Sequence, residues 1–169
     1  MREDESERTV QVVPFVPAYG DEVVDLIVGI QRGEFAIDIT ADQQPDLRAI
    51  PSFYQARNGN FWVALDGERV VGTISLLDIG NQQVALRKMF VRAEYRGPRY
   101  GTARHLLARL LTWARRRGVR EVFLGTTPMF HAAHRFYEKS GFSEIDVSDL
   151  PEAFPVMEVD KKFYTMRIS

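Results

Sequence analysis

The strongest helical pattern of the chain lies between two runs of residues that favour strands. In residues 101–117 apolar side chains recur at helical spacing, and Gly118 follows where a helix often ends. The flanking runs are 84–91 (VALRKMFV) and 121–125 (EVFLG). A strand, a crossover helix and a second strand in one sheet favour parallel pairing. The chain is therefore expected to build a sheet with at least one parallel pair and a helix packed against it.

The residues before this unit predict an antiparallel meander. Runs at 61–65 (FWVAL) and 70–79 (VVGTISLLDI) flank Asp66-Gly67, which is a strong hairpin signal. Further elements are expected elsewhere: a strand at 10–15, a helix at 21–33, a short helix before Asn58, a helix at 132–140, and strands at 142–147 and 163–168. The sequence predicts an α/β (α+β) fold, a single domain with a central mixed β-sheet of about six to seven strands flanked by helices.

Charge and residue types exclude several classes of function. The chain has 22 basic and 23 acidic side chains, which argues against a general nucleic-acid binder. It has no cysteine, so a disulfide scaffold, a thiolate nucleophile and a cysteine-ligated metal are excluded. The three histidines, His105, His131 and His134, are too few and too close in sequence to suggest a zinc site. His131 and His134 are expected at the surface near the start of the last helix.

Nothing in the sequence points to a membrane or to export. No apolar run is long enough to span a bilayer, and MREDESERT lacks the apolar core of a secretory signal. We expect a disordered lead-in at 1–9, a single domain at 10–169 and a cytoplasmic location.

The loop that precedes the long helix, YRGPRYGTARHLL (95–107), combines glycines with positive charge. N–H groups in a first helical turn have no intrahelical partners, and the helix dipole adds positive character there. Gly97 and Gly101 would give an anion room, and Arg96 and Arg99 add charge that suits phosphate. The loop therefore predicts a pyrophosphate cradle, although a turn that needs glycine only for its backbone angles explains it equally well. The spacing fits neither a Walker A loop nor a GxGxxG fingerprint.

Together with LRKMFV (86–91) and AAHRFYEKSGF (132–142), this loop resembles the GNAT superfamily of acyl-CoA-dependent N-acyltransferases. Arg96 and Gly101 match the ends of the family's motif Arg/Gln-x-x-Gly-x-Gly/Ala, and Arg99 stands at its central glycine. The resemblance covers about residues 61–145. It implies acetyl-CoA as the acyl donor, no metal, and direct attack by a primary amine without a covalent enzyme intermediate.

The resemblance also implies which residues form the site. Tyr137 would protonate the departing thiolate, with packing in the helix face as the simpler alternative. The family's strand glutamate is replaced by Ala85, so the candidates for a base or an acceptor-binding group are Glu34 and Asp38. For either residue alone, a position in a solvated loop is the preferred interpretation. The residues expected to bind the cofactor are Met89, Phe90, Val91, Arg96, Gly97, Arg99, Tyr100, Gly101, Thr102 and Ala133.

Two questions stay open at the level of sequence. A non-catalytic CoA-binding sensor or interaction module is the alternative to an N-acetyltransferase, and the acceptor could be a small-molecule or a protein amine. The proline-punctuated segment Phe154–Tyr164 is expected either to close over the acceptor site or to contribute to a homodimer interface.

Overall fold

The computed structural model describes residues 10–128 and 130–168, so the predicted lead-in at 1–9 lies outside the described residues. The strands are β1 (Gln11–Pro14), β2 (Asn60–Asp66), β3 (Arg69–Gly80), β4 (Gln83–Val91), β5 (Glu121–Thr126), β6 (Ser143–Ile145) and β7 (Lys162–Arg167). The α-helices are α1 (Gly20–Gly29), α2 (Ile50–Phe53), α3 (Thr102–Arg116) and α4 (His131–Lys139). A turn of π-helix, Ile30–Glu34, continues α1. No helix in these ranges has the length and apolar character needed to cross a membrane.

The seven strands form one mixed sheet in the order β1-β2-β3-β4-β5-β7-β6. Strands β1 to β4 are antiparallel neighbours, β4 and β5 are parallel, and β7 pairs antiparallel with both β5 and β6. This confirms the predicted fold class and the parallel pair on either side of α3. The insertion of β7 between β5 and β6 is the part of the topology that the element order does not reveal.

Helices cover both faces of the sheet. In β2, Trp62 packs in the cluster that contains α3 residues such as Leu106, while Phe61 packs in the cluster that contains Ile27 of α1. Successive side chains of a strand point to opposite faces, so a strand covered on both sides is apolar throughout. This explains why FWVAL reads as a continuous hydrophobic run rather than an alternating one.

The parallel pairing of β4 with β5 is short. Residues 83–85 of β4 pair with residues 121–123 of β5, although β4 continues to Val91 and β5 to Thr126. A β-bulge follows in β4, because two residues, Lys88 and Met89, lie opposite Ile74 alone, and Lys88 adopts a left-handed φ of 53°. The two strands therefore separate beyond residue 85 and leave a cleft near the middle of the sheet.

Candidate active site

The cleft lies between the separated ends of β4 and β5. Residues 86–90 of β4 and 124–127 of β5 and its following turn form two walls. Helix α4 adds Ala133 and Tyr137. The segment Phe154–Tyr164 closes one side, through Phe154, Pro155, Met157, Val159 and Asp160. The segment thus lies against the cleft, and its two expected roles, closing over the acceptor site or contributing to a homodimer interface, stay predictions.

Tyr137 presents its hydroxyl to the cleft from α4. Its ring packs against Phe142 and Tyr164, with centroid distances of 5.6 and 6.0 Å. The hydroxyl donates to Met89 Sδ at 3.6 Å, and a thioether is a weak acceptor. Burial, with a smaller contribution from Asp160, raises the pKa of Tyr137 well above its ordinary value. The phenol is therefore protonated at neutral pH, and its O–H can turn from the weak thioether acceptor to a stronger acceptor.

Asp160 is a carboxylate of the cleft that the sequence analysis did not single out. It lies against Gly125 of β5, where an added Cβ would come within 2.7 Å of Asp160 Oδ2. Its carboxylate accepts a hydrogen bond from the Met157 N–H at 3.3 Å. Burial raises the pKa of Asp160 above its usual range, against the opposing effects of that hydrogen bond and of the cations Arg87 and Lys88. The result is a partly desolvated carboxylate that is more basic than usual.

Glu34 and Asp38, the two predicted bases, are placed outside the lining of the cleft. Glu34 forms a bidentate ion pair with Arg96, whose Nη2 donates to Glu34 Oε2 at 2.7 Å and whose Nη1 donates to Oε1. The hydrogen bond from Arg96 lowers the pKa of Glu34, with burial opposing it, and this makes Glu34 a weaker base. Asp38 is exposed between Ile37 and Ile39, which do line the cleft. Their proposed role stays a prediction that the geometry does not strengthen.

A buried polar network forms the wall of the cleft nearest α1. Lys88 Nζ donates to Gln44 Oε1 at 2.6 Å and lies 3.6 Å from Asp46 Oδ2. The side-chain amides of Gln31 and Gln44 exchange hydrogen bonds of 3.2 and 2.8 Å, and the Tyr54 hydroxyl donates to Asp46 at 2.6 Å. Burial lowers the pKa of Lys88, and Asp46 opposes that change. Because its members satisfy one another, the network is expected to hold this wall rigid.

The loop before α3 has the backbone that its glycines predict. Gly97 and Gly101 have φ values of 93° and 59°, which favour glycine. At Gly101 a Cβ would also meet Arg104 Nη2 at 2.7 Å. No side chain in the described ranges caps α3. Thr102 is buried, and its hydroxyl finds no hydrogen-bond partner among the described residues. The backbone angles alone justify both glycines, and the pyrophosphate role stays a prediction.

The remaining predicted cofactor residues occupy varied positions. Met89 and Phe90 line the cleft, whereas Val91 is buried and its carbonyl accepts from Arg96 Nε at 2.8 Å. The Arg99 guanidinium lies 5.5 Å from the Tyr100 ring centroid, at the surface of the loop.

The expected surface position of His134 is wrong. The side chain is buried, and its Nε2 lies 2.8 Å from the Thr127 carbonyl oxygen. A turn carbonyl thus satisfies this ring, whereas His131 is exposed as expected.

Comparison with known proteins gives a consistent assignment. A model described as "Acetyltransferase (GNAT) family" matches residues 27–142, which is more than half of the chain. Among curated proteins, the chain is 34% identical over 106 residues to N-acetyltransferase family 8 member 2 of Rattus norvegicus and 36% identical over 106 residues to N-acetylaspartate synthetase of Xenopus tropicalis. These matches cover 60% of this chain, but 46% and 38% of the two relatives, so the chain spans less than half the length of either.

Solved structures match over nearly the whole chain. A GNAT-family acetyltransferase from Staphylococcus aureus Mu50 has a TM-score of 0.90 and 35% identity, with 95% of this chain and 99% of that chain covered. The PaiA N-acetyltransferase from Thermoplasma acidophilum, solved in complex with coenzyme A, has a TM-score of 0.72 and 14% identity, with 94% and 99% covered. The second likeness shows the fold alone.

Proposed function

Because the chain belongs to the GNAT acetyltransferase family, we propose that it transfers an acetyl group from acetyl-CoA to a primary amine. The observation that carries the proposal is the cleft between β4 and β5, with the Tyr137 hydroxyl in its wall and, among residues 10–128 and 130–168, only the Met89 thioether as its hydrogen-bond partner. Such a group is available to protonate a sulfur anion. The PaiA N-acetyltransferase, which shares this fold, was solved in complex with coenzyme A, and the proposed donor is in line with that complex.

The chain offers two kinds of contact to the donor. Beyond residue 85, the edge of β4 that faces β5 is released from sheet pairing, so its N–H and C=O groups can bind the amides of an extended pantetheine arm. The loop from Arg96 to Gly101 leads into α3, whose first turn no side chain of the described residues caps, and it carries two arginines, which suits a pyrophosphate. Bound in this way, acetyl-CoA would supply a thioester carbonyl for the reaction.

The proposed transfer moves one proton from the amine to the sulfur. A C–N bond forms, the C–S bond breaks, and no residue of the chain is acylated, in line with the absence of cysteine. Asp160 accepts the proton that the amine loses, directly or through water, because burial makes its carboxylate more basic. Tyr137 donates its proton to the departing thiolate, because its phenol stays protonated in the same cleft. Glu34 and Asp38 are the less favoured bases.

Thermal unfolding with acetyl-CoA, followed by assays of thiol release with a panel of amines, tests the proposal. A ligand at a hundred times its Kd adds about 2.7 kcal/mol to folding stability, which corresponds to roughly 5–10 °C in Tm for a domain of this size. Gly101→Asp should abolish the shift by placing an anion at the predicted phosphate site. Gly118→Asp is the matched control, since Gly118 also has a positive φ, 73°, but lies past the other end of α3.

Both glycine variants introduce the same residue at a left-handed position, so both are expected to lose some intrinsic stability. Only Gly101→Asp should lose the ligand-induced shift. Absence of any shift in the unmodified protein, together with no thiol release for any amine, would overturn the proposal.

A further inference from the structure

Arg87 is a half-buried cation of the cleft that the proposed acetyl transfer does not use. Its guanidinium carbon lies 5.8 and 5.9 Å from the ring centroids of Phe53 and Tyr54, and its Nη2 lies 3.6 Å from Met157 Sδ. Within residues 10–128 and 130–168, no carboxylate forms an ion pair with it at 4.0 Å or less. Aromatic faces and a thioether fix the guanidinium, but they leave its fork of N–H donors without an anion.

The other basic side chain of the cleft is already engaged. Lys88 is held by Gln44 Oε1 and by the nearby Asp46 carboxylate, within the buried network. A ligand anion that paired with Lys88 would have to displace these partners. Arg87, in contrast to Lys88, can bind an anion without giving up an ion pair with a carboxylate of the chain.

Arg87 and Asp160 line the same cleft and carry opposite charges, and none of the ion pairs at 4.0 Å or less among the described residues joins them. A small molecule that carries an anion for Arg87 and an amine for Asp160 would match these two charges. Both Arg87 and Met89 line the cleft, although Arg87 packs against Tyr54 on the α1 side of the sheet and Met89 packs in the cluster with Leu106 and Tyr137 on the α3 side. Their Cα atoms lie roughly 6 to 7 Å apart along the strand. Since Met89 contacts the Tyr137 hydroxyl, the anion site lies within reach of an amine positioned beside that hydroxyl.

We propose that Arg87 binds the carboxylate of the acceptor, and that the acceptor is consequently an amino acid with a free carboxylate. The planar fork of a guanidinium matches the two oxygens of a carboxylate, and charge-assisted pairs of this kind are among the stronger hydrogen bonds in proteins. The inference rests on the proposed acetyl transfer and names the class of its second substrate. It makes Arg87 a residue that determines specificity, while Tyr137 and Asp160 handle protons.

The test uses the full chain, acetyl-CoA and the twenty standard L-amino acids, with tryptamine and spermidine as amines that lack a carboxylate. The best amino-acid acceptor is then compared with its α-amide, which keeps the amine and the side chain but removes the anion. We expect kcat/KM for the acid to exceed that for the amide by about 10- to 150-fold, the range that a hydrogen bond to a charged group supports.

Three variants assign that difference to Arg87. Arg87→Met keeps the aliphatic stem and should lower kcat/KM for the acid by about that factor more than it lowers kcat/KM for the amide. Arg87→Lys keeps the charge without the fork and should recover part of the loss, and it also serves if Arg87→Met fails to fold. Arg120→Met is the matched control, because Arg120 is exposed and precedes β5 at the end of that strand remote from the cleft.

The outcomes separate this inference from the function on which it rests. Equal rates with acid and amide, or an equal loss on both in Arg87→Met, would overturn the role of Arg87. Thiol release with tryptamine or spermidine but with no amino acid would do the same and leave acetyl transfer intact. If acetyl-CoA neither shifts Tm nor releases thiol with any amine, both proposals fall.

Discussion

Replacing Tyr137 by phenylalanine removes one oxygen atom from the wall of the cleft and should separate chemistry from folding. The ring contacts with Phe142 and Tyr164 do not involve that oxygen. The lost hydrogen bond ends on the Met89 thioether, a weak acceptor, so no strongly polar group is left unpaired. We therefore expect the free energy of unfolding to change by less than about 1 kcal/mol, below the value of an ordinary hydrogen bond.

The effect on the reaction should be much larger. If Tyr137 protonates the thiolate, its hydroxyl interacts most strongly in the transition state, so its loss lowers the rate more than donor binding. A general acid typically contributes about a hundredfold or more, which corresponds to about 2.7 kcal/mol in the barrier. Stopped-flow measurement of thiol release in a single turnover isolates this step from product release.

Tyr164→Phe is the matched control for this experiment. Tyr164 is buried beside Tyr137, and its hydroxyl finds no hydrogen-bond partner among the residues that the structure describes. The hydroxyl is not part of the cleft lining, so its removal should leave the single-turnover rate unchanged and cost no stability. A Tyr137→Phe rate equal to that of the unmodified protein would refute the acid role and return Tyr137 to packing. Equal losses in the two variants would indicate a general effect of disturbing this aromatic cluster.

Two further changes address the charged groups around the cleft. Asp160→Asn should abolish most of the single-turnover rate while raising Tm at neutral pH, because burial disfavours the ionised carboxylate in the folded state. The gain in Tm should shrink as pH falls through the raised pKa towards the unfolded value, and a constant gain would contradict a buried charge at Asp160. Glu34→Gln releases Arg96 from its half-exposed ion pair and should tighten coenzyme A binding by up to about fivefold in calorimetric titration, the value of an exposed pair. An unchanged Kd would indicate that Arg96 does not contact the phosphates.

The sequence predicts local elements of this fold well because each has a local cause. The Asp66-Gly67 turn, the leucine stripe of α3 and the glycine after it lie where their residue types predict. The position of β7 between β5 and β6 has no such local cause. It depends on pairing between residues 121–126 and 162–167, which are distant along the chain, and so the sheet order had to come from the structure.

The same distinction explains the candidate site. Local motifs predict Tyr137, Met89 and Ala133 as site residues, and the structure brings all three to one cleft. The sequence analysis does not single out Asp160, because Asp160 lies opposite Gly125 only as a result of the pairing of β7 with β5, which the sequence does not predict. Glu34 is a predicted base or acceptor-binding group, but its carboxylate pairs with Arg96, and no pattern in the sequence indicates that pairing.

Burial alone can assign opposite roles to the two proposed proton-transfer groups. Desolvation disfavours the charged form of any acid, so it raises the pKa of both Tyr137 and Asp160. For the phenol, whose pKa is already high, the change keeps the proton in place for donation. For the carboxylate, whose usual pKa lies far below neutrality, desolvation makes Asp160 a stronger base, and Asp160 is still ionised whenever the pH exceeds its raised pKa. The rate of the chemical step should consequently rise with pH through the raised pKa of Asp160, and Asp160→Asn should remove that rise while Tyr137→Phe preserves it.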